Sequence, residues 1–139
     1  MTQVLLAEDN AADVYLIREA LREHSVQCDL RVAPDGQEVL EVLSSEPPQL
    51  NDLKLIILDL NLPRHDGIEI LEHLRKSPLH DVPVVVLTSS DSQRDRDLAI
   101  QLGAARFLRK PSQLEQFLSL GAVFKELLGE PANAASESA

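Results

Sequence analysis

Four groups of residues in this chain could do chemistry together: the acidic pair Glu8-Asp9, the single Asp59, the hydroxyl pair Thr88-Ser89 and the amine of Lys110. Each of the first three follows a short aliphatic run, namely Val4-Leu5-Leu6-Ala7, Leu55-Ile56-Ile57-Leu58 and Val84-Val85-Val86-Leu87. Runs of this length, apolar at successive positions, read as strands buried on both faces. Polar groups that close such strands sit at the mouth of a sheet. Several carboxylates in one crevice raise one another's pKa unless a divalent cation offsets their charge. Mg²⁺ suits such a site, because it prefers hard oxygen ligands, commonly takes one or two carboxylates and completes its shell with water and phosphate.

For these groups to meet, the strands must be parallel and adjacent. Short aliphatic runs alternate along the chain with segments of helical period. Asn10 is placed to cap a first helix carrying Val14, Ile17 and Leu21. Cys28 to Ala33 forms a second strand, Asp35-Gly36 a turn, and Val39, Leu40 and Leu43 a helix running to the Pro47-Pro48 break. After the Asp59 strand, Ile68, Leu71 and Leu74 give a third helix that stops before Pro78. Val82 to Leu87 is the fourth strand. Ser92-x-x-Asp95 has the form of a capping box for a fourth helix ending at Gly103, and Ala105 to Leu108 is a short fifth strand. A second capping box, Ser112-x-x-Glu115, opens a last helix with an expected core face of Leu114, Phe117, Leu118, Gly121, Phe124 and Leu128.

Five βα units predict an α/β fold: a doubly wound, five-stranded parallel sheet with right-handed crossovers, flavodoxin-like (βα)5, in the order 2-1-3-4-5. That order puts strands one and three side by side. It brings Glu8-Asp9 and Asp59 to one crevice, with Thr88 on the next strand and Lys110 on the one after. The folded unit is expected over residues 1–128, with 129–139 a disordered tail too poor in apolar residues to order itself.

Composition narrows the function. Thirteen basic against 23 acidic side chains give a formal charge of −10, which repels a nucleic-acid backbone. The 44% hydrophobic content is aliphatic, with no Trp, one Tyr and three Phe, so base-stacking platforms are lacking. The single Cys28 allows no internal disulfide and no Cys-x-x-Cys site. No signal-like segment and no apolar run of membrane-spanning length occurs, and the sequence is read as that of a soluble cytoplasmic protein binding neither nucleic acid nor membrane.

Taken singly, each group has a plainer reading. Glu8-Asp9 could be a solvated strand end, Asp59 a turn residue, Thr88-Ser89 a helix cap, Lys110 a surface lysine and Phe107 a core aromatic. Their company carries the argument. The series Glu8-Asp9, then Leu58-Asp59-Leu60-Asn61-Leu62-Pro63 with Asp66-Gly67, then Thr88-Ser89, then Phe107 and Lys110-Pro111 resembles the receiver domain of two-component response regulators. The resemblance covers Gln3 to Leu128. The wording Glu8-Asp9-Asn10-x-Ala12-Asp13 and Asp59 to Gly67 is similar to the subgroup of stand-alone cyanobacterial phytochrome response regulators.

The resemblance implies roles for these residues. Asp59 is expected to accept a phosphoryl group from a histidine kinase or phosphotransfer protein. Mg²⁺ is expected on Asp9, Asp59 and the backbone carbonyl of Asn61, with Glu8 acting through a water. Lys110 and Thr88 are expected to bind phosphoryl oxygens while the small Ser89 leaves room. Phe107 is expected to change rotamer, reshaping the face made by helix four, strand five and helix five. Output then passes through another polypeptide, as a phosphorelay intermediate, as a phosphate sink or by homodimerisation through that face. Two other functions share parts of this pattern: a degenerate receiver acting as scaffold, and a phosphohydrolase of the haloacid-dehalogenase type. The hydrolase needs an acid two positions after its nucleophile, where this chain has Asn61.

Overall fold

In a computed structural model the described residues are 2–45 and 50–129. The expected Pro47-Pro48 break and the tail from residue 130 onward lie outside them. Five strands, β1 (Gln3–Ala7), β2 (Asp29–Ala33), β3 (Leu53–Leu58), β4 (Val84–Thr88) and β5 (Arg106–Arg109), form one parallel sheet in the order β2-β1-β3-β4-β5. The order and the α/β class are those the sequence predicted. Helices α1 (Ala11–Glu23), α2 (Gly36–Ser44), α3 (Gly67–Arg75), α4 (Gln93–Gln101), α5 (Leu114–Leu118) and α6 (Leu120–Leu127) connect and cover it.

The three inner strands are apolar on both faces because both faces are covered. Leu5, Ala7, Ile56, Leu58, Val84 and Val86 point into a core shared with Val39, Ile70, Leu71 and Ala99 of α2, α3 and α4. The alternate residues Val4, Leu6, Leu55, Ile57, Val85 and Leu87 point the other way, against Ile17 of α1, Phe117 of α5 and Phe124 of α6. This two-residue alternation is the pleat. Complete burial of each such side chain is worth about 1.5–3 kcal/mol, so the inner strands dominate the stability. The outer strands β2 and β5 are only half covered.

Local signals set the helix ends. The side chains of Asn10, Asp35, Asp66 and Ser92 accept the N–H groups of Asp13, Glu38, Glu69 and Asp95, each satisfying one orphan donor of its helix. Asp35-Gly36 is therefore a helix start as well as a turn. Gly103 ends α4 at φ +92°, as its position after the helix suggests.

The last helix departs from expectation. It is two segments, α5 and α6, divided at Ser119, whose hydroxyl donates to the Gln116 carbonyl at 2.7 Å. The predicted Ser112 cap does not form. Gln113 holds that position and gives no side-chain bond, and Leu114, one residue into the helix, is 58% exposed rather than in the core. Phe117 and Phe124 are buried as expected. Gly121 lets α6 back closely onto α1: a Cβ there would run into the Ala20 carbonyl oxygen and the His24 ring. Lys125 of α6 donates to the His24 carbonyl at 3.1 Å and so satisfies the carboxyl end of α1.

Candidate functional site

The site is built by continuing the sheet one residue past its strands. The Glu8 N–H donates to the Ala33 carbonyl at 3.1 Å, the Asp59 N–H to the Ala7 carbonyl at 3.0 Å and the Lys110 N–H to the Thr88 carbonyl at 2.8 Å. Neighbouring strands thus hold the backbone of all three residues where their side chains leave the sheet. Glu8, Asp9 and Asp59 each offer a carboxylate oxygen, and the three oxygens lie within 4.8 Å of one another. Glu8 and Asp59 are buried and Asp9 is exposed, so the cluster opens to solvent on one side.

Lys110 reaches into the cluster from the end of β5. Its ammonium lies 2.9 Å from Glu8 Oε1, 2.8 Å from Asp59 Oδ2 and 2.8 Å from Asp13 Oδ2. Three carboxylates from three elements thus share three ammonium protons. The other Asp59 oxygen, Oδ1, accepts the Asn61 N–H at 2.9 Å, and the Asn61 amide nitrogen donates to Thr88 Oγ at 3.3 Å. Thr88 is fully buried, and its hydroxyl oxygen also accepts the Ser90 N–H at 3.3 Å.

Among the described residues, three carboxylates bond the Lys110 ammonium and a fourth, Asp9, lies beside two of them, and the electrostatics follow. Burial pushes the Glu8 pKa up, and the nearby charge of Asp59 adds to the rise; bonds from Lys110 and the Asn10 N–H oppose it without reversing it. Burial works against the charge on Lys110, but hydrogen bonds to Asp13, Asp59 and Glu8 outweigh it and hold its pKa above the usual lysine range. Lys110 is a fixed cation. A second, stronger cation is what the surplus of acid fits, and the all-oxygen donor set suits a hard divalent ion.

The structure therefore brings together Glu8, Asp9, Asp59, Asn61, Thr88 and Lys110. Ser89 is at the rim, exposed. Phe107 lies apart on β5, half-buried, with the Arg96 guanidinium of α4 5.7 Å from its ring centroid. The sequence reading gave no role to Asp13, which entered only as the last residue of the Glu8-to-Asp13 wording and lies in the first turn of α1, four residues after Asp9. In the structure His65 bridges α2 and α3, its ring nitrogens 3.2 Å from Gln37 Oε1 and 3.1 Å from Glu69 Oε2. On α4, Asp97 accepts from Gln93 and Asp95 from Ser90.

A sheet of this order, with an acidic crevice at the carboxyl ends of β1 and β3 and a lysine closing it, defines a receiver domain. Residues 4–120 match the response regulator receiver domain, and the chain belongs to that family of two-component systems. It is 33% identical over 120 residues to the response regulator Rcp1 of a Synechocystis species, covering 84% of this chain and 82% of that one. Its backbone matches the crystal structure of the phosphorylated cyanobacterial phytochrome response regulator RcpA with a TM-score of 0.83 at 33% identity, covering 91% and 93% of the two chains. The Mn²⁺-bound form of Rcp1 matches with a TM-score of 0.82 at 31% identity, over 91% and 93%. Other relatives are longer: the chain spans 47% of the response regulator MprA of Mycolicibacterium vanbaalenii, at 32% identity over 117 residues. No helix among the described residues is long and apolar enough to cross a membrane.

Proposed function

We propose that this receiver is a phosphoacceptor switch that takes a phosphoryl group on Asp59 from the phosphohistidine of a histidine kinase or phosphotransfer protein. One observation carries the reading: Asp59 is a buried carboxylate with one oxygen on the Asn61 N–H and the other on Lys110, inside a cluster sized for a cation. An oxygen of Asp59 forms the new bond to phosphorus, the phosphorus–nitrogen bond breaks, and the imidazole leaves with the electron pair and takes a proton from solvent. Asp9, Asp59 and the backbone carbonyl of Asn61 would hold Mg²⁺, with Glu8 acting through a water. The bound ion supplies compensation for charge on the phosphoryl oxygens.

The chain's own groups do the rest. Lys110 turns from a carboxylate to a phosphoryl oxygen, Thr88 exchanges its bond from Asn61 for one to another oxygen, and Ser89 leaves the entry clear. Phosphorylation adds about −1.5 to −2 charge and three strong acceptors at the point where these donors converge. Movement of Thr88 leaves space that Phe107 enters, and its departure from beneath Arg96 reshapes the α4–β5–α5 surface, through which the signal passes to a partner or a second copy. Asn61 carries an amide, so turnover on small phosphate esters lacks its general acid.

Incubation with acetyl phosphate or a kinase in the presence of Mg²⁺ is expected to add a single acid-stable, base-labile phosphate. Asp59→Asn should abolish it. No incorporation into the wild type overturns the reading, and repeated turnover on phosphate esters would replace it with the hydrolase.

A further inference from the structure

Asp13 stands outside every role assigned so far, yet it bonds Lys110, the cation of the site among the described residues. It lies in the first turn of α1, where its backbone N–H donates to Asn10 Oδ1 at 3.0 Å and its carboxylate Oδ2 accepts from Lys110 at 2.8 Å. The contact is sheltered, with the two side chains 11% and 21% exposed for Lys110 and Asp13. The other two acceptors of Lys110, Glu8 and Asp59, belong to the cluster that fits a cation, and Asp13 does not. When a divalent ion draws on Glu8 and Asp59, the Asp13 carboxylate keeps its claim on the ammonium.

We propose that Asp13 is a positioning residue that competes with the phosphoryl group for Lys110 and so weakens the activated state; this rests on the phosphoacceptor reading above. A phosphoryl oxygen can use Lys110 only by displacing a charge-assisted hydrogen bond already made within the resting protein. The resting contact is therefore a standing bias against activation. A sheltered ion pair of this kind shifts an equilibrium by about two- to five-fold.

The test is a ¹⁹F NMR titration of the full chain with beryllofluoride in the presence of Mg²⁺, comparing wild type with Asp13→Asn. The substitution keeps the shape and the Asn10 cap, which uses the backbone N–H, and removes the charge. Asp13→Asn is expected to bind beryllofluoride about two- to five-fold more tightly. Its affinity for Mg²⁺ alone should change much less, because Asp13 lies outside the cation cluster. In a Lys110→Met background the gain should vanish. Unchanged or weaker beryllofluoride binding by Asp13→Asn overturns the proposal. So does an equal gain for Mg²⁺ alone, or a gain that persists without Lys110, since either would make Asp13 mere background charge. If the wild type binds no beryllofluoride at all, the phosphoacceptor reading itself fails.

Discussion

Glu8 shows how the site trades stability for capacity. Its folded pKa is raised, chiefly by burial, so between the usual glutamate range and that raised value the folded state binds more protons than the unfolded chain. Stability of the metal-free protein therefore falls as pH rises through that window. Lys110 behaves oppositely: its raised pKa contributes stability that is complete below the usual lysine range and is lost only in strong alkali. Glu8→Gln, which mimics the protonated acid, is expected to be about 1 kcal/mol more stable than wild type at neutral pH without metal, and to bind Mg²⁺ more weakly. Thermal melts of both proteins from pH 4 to 8 check this; parallel profiles would show that Glu8 is not strained. A sequence reading finds Glu8, Asp9 and Asp59 as site residues but not Asp13. Strand ends announce themselves by a break in an aliphatic run, whereas Asp13 reaches Lys110 from a helix turn across a separation of 97 residues.

At the level of elements, the close approach of α6 to α1 rests on Gly121. Gly121→Ala must move backbone rather than a flexible side chain, since the Ala20 carbonyl stands where the methyl group would go. A loss of about 1–3 kcal/mol is expected, read by urea unfolding, with the tie from Lys125 to His24 weakened as well. The inner strands were plain in the sequence because burial on both faces leaves unbroken aliphatic runs, and the starts at Asn10 and Ser92 were plain because a short polar residue precedes a periodic segment; the caps at Asp35 and Asp66 look like ordinary turn residues until the helices are seen. The end of the chain was harder. Ser112-x-x-Glu115 has the capping pattern, but the cap position falls one residue later, on Gln113, and the helix begins at Leu114. The apolar Leu114 is thereby left facing solvent. The break at Ser119 was equally hidden, because its residues continue a helical period. The bridge made by His65 was hidden for a different reason. Its partners, Gln37 and Glu69, become neighbours only when α2 packs beside α3, with Gly36 so close to His65 that a Cβ would collide with it.

For the molecule as a whole, the question is how a change at one crevice reaches a partner. Arg106 and Arg109 on β5 make long, exposed pairs with Glu126 and Asp91, at 3.5 and 3.8 Å, and such pairs are worth about 0–1 kcal/mol. They can exchange partners at little cost, which suits a surface that meets a second copy. Light scattering with and without beryllofluoride and Mg²⁺ is expected to show the mass doubling on activation; an unchanged mass would direct output to a different polypeptide. What stays still matters as much. The main-chain bonds that run past the strand ends pin Glu8, Asp59 and Lys110 to their neighbours in the sheet. The clustered groups thus stand on an anvil, and on the phosphoacceptor reading a phosphoryl group would not be accommodated by sliding one strand along another. Under the proposed switch, news of a phosphoryl group would travel outward through rotating side chains, leaving the scaffold ready to be reset.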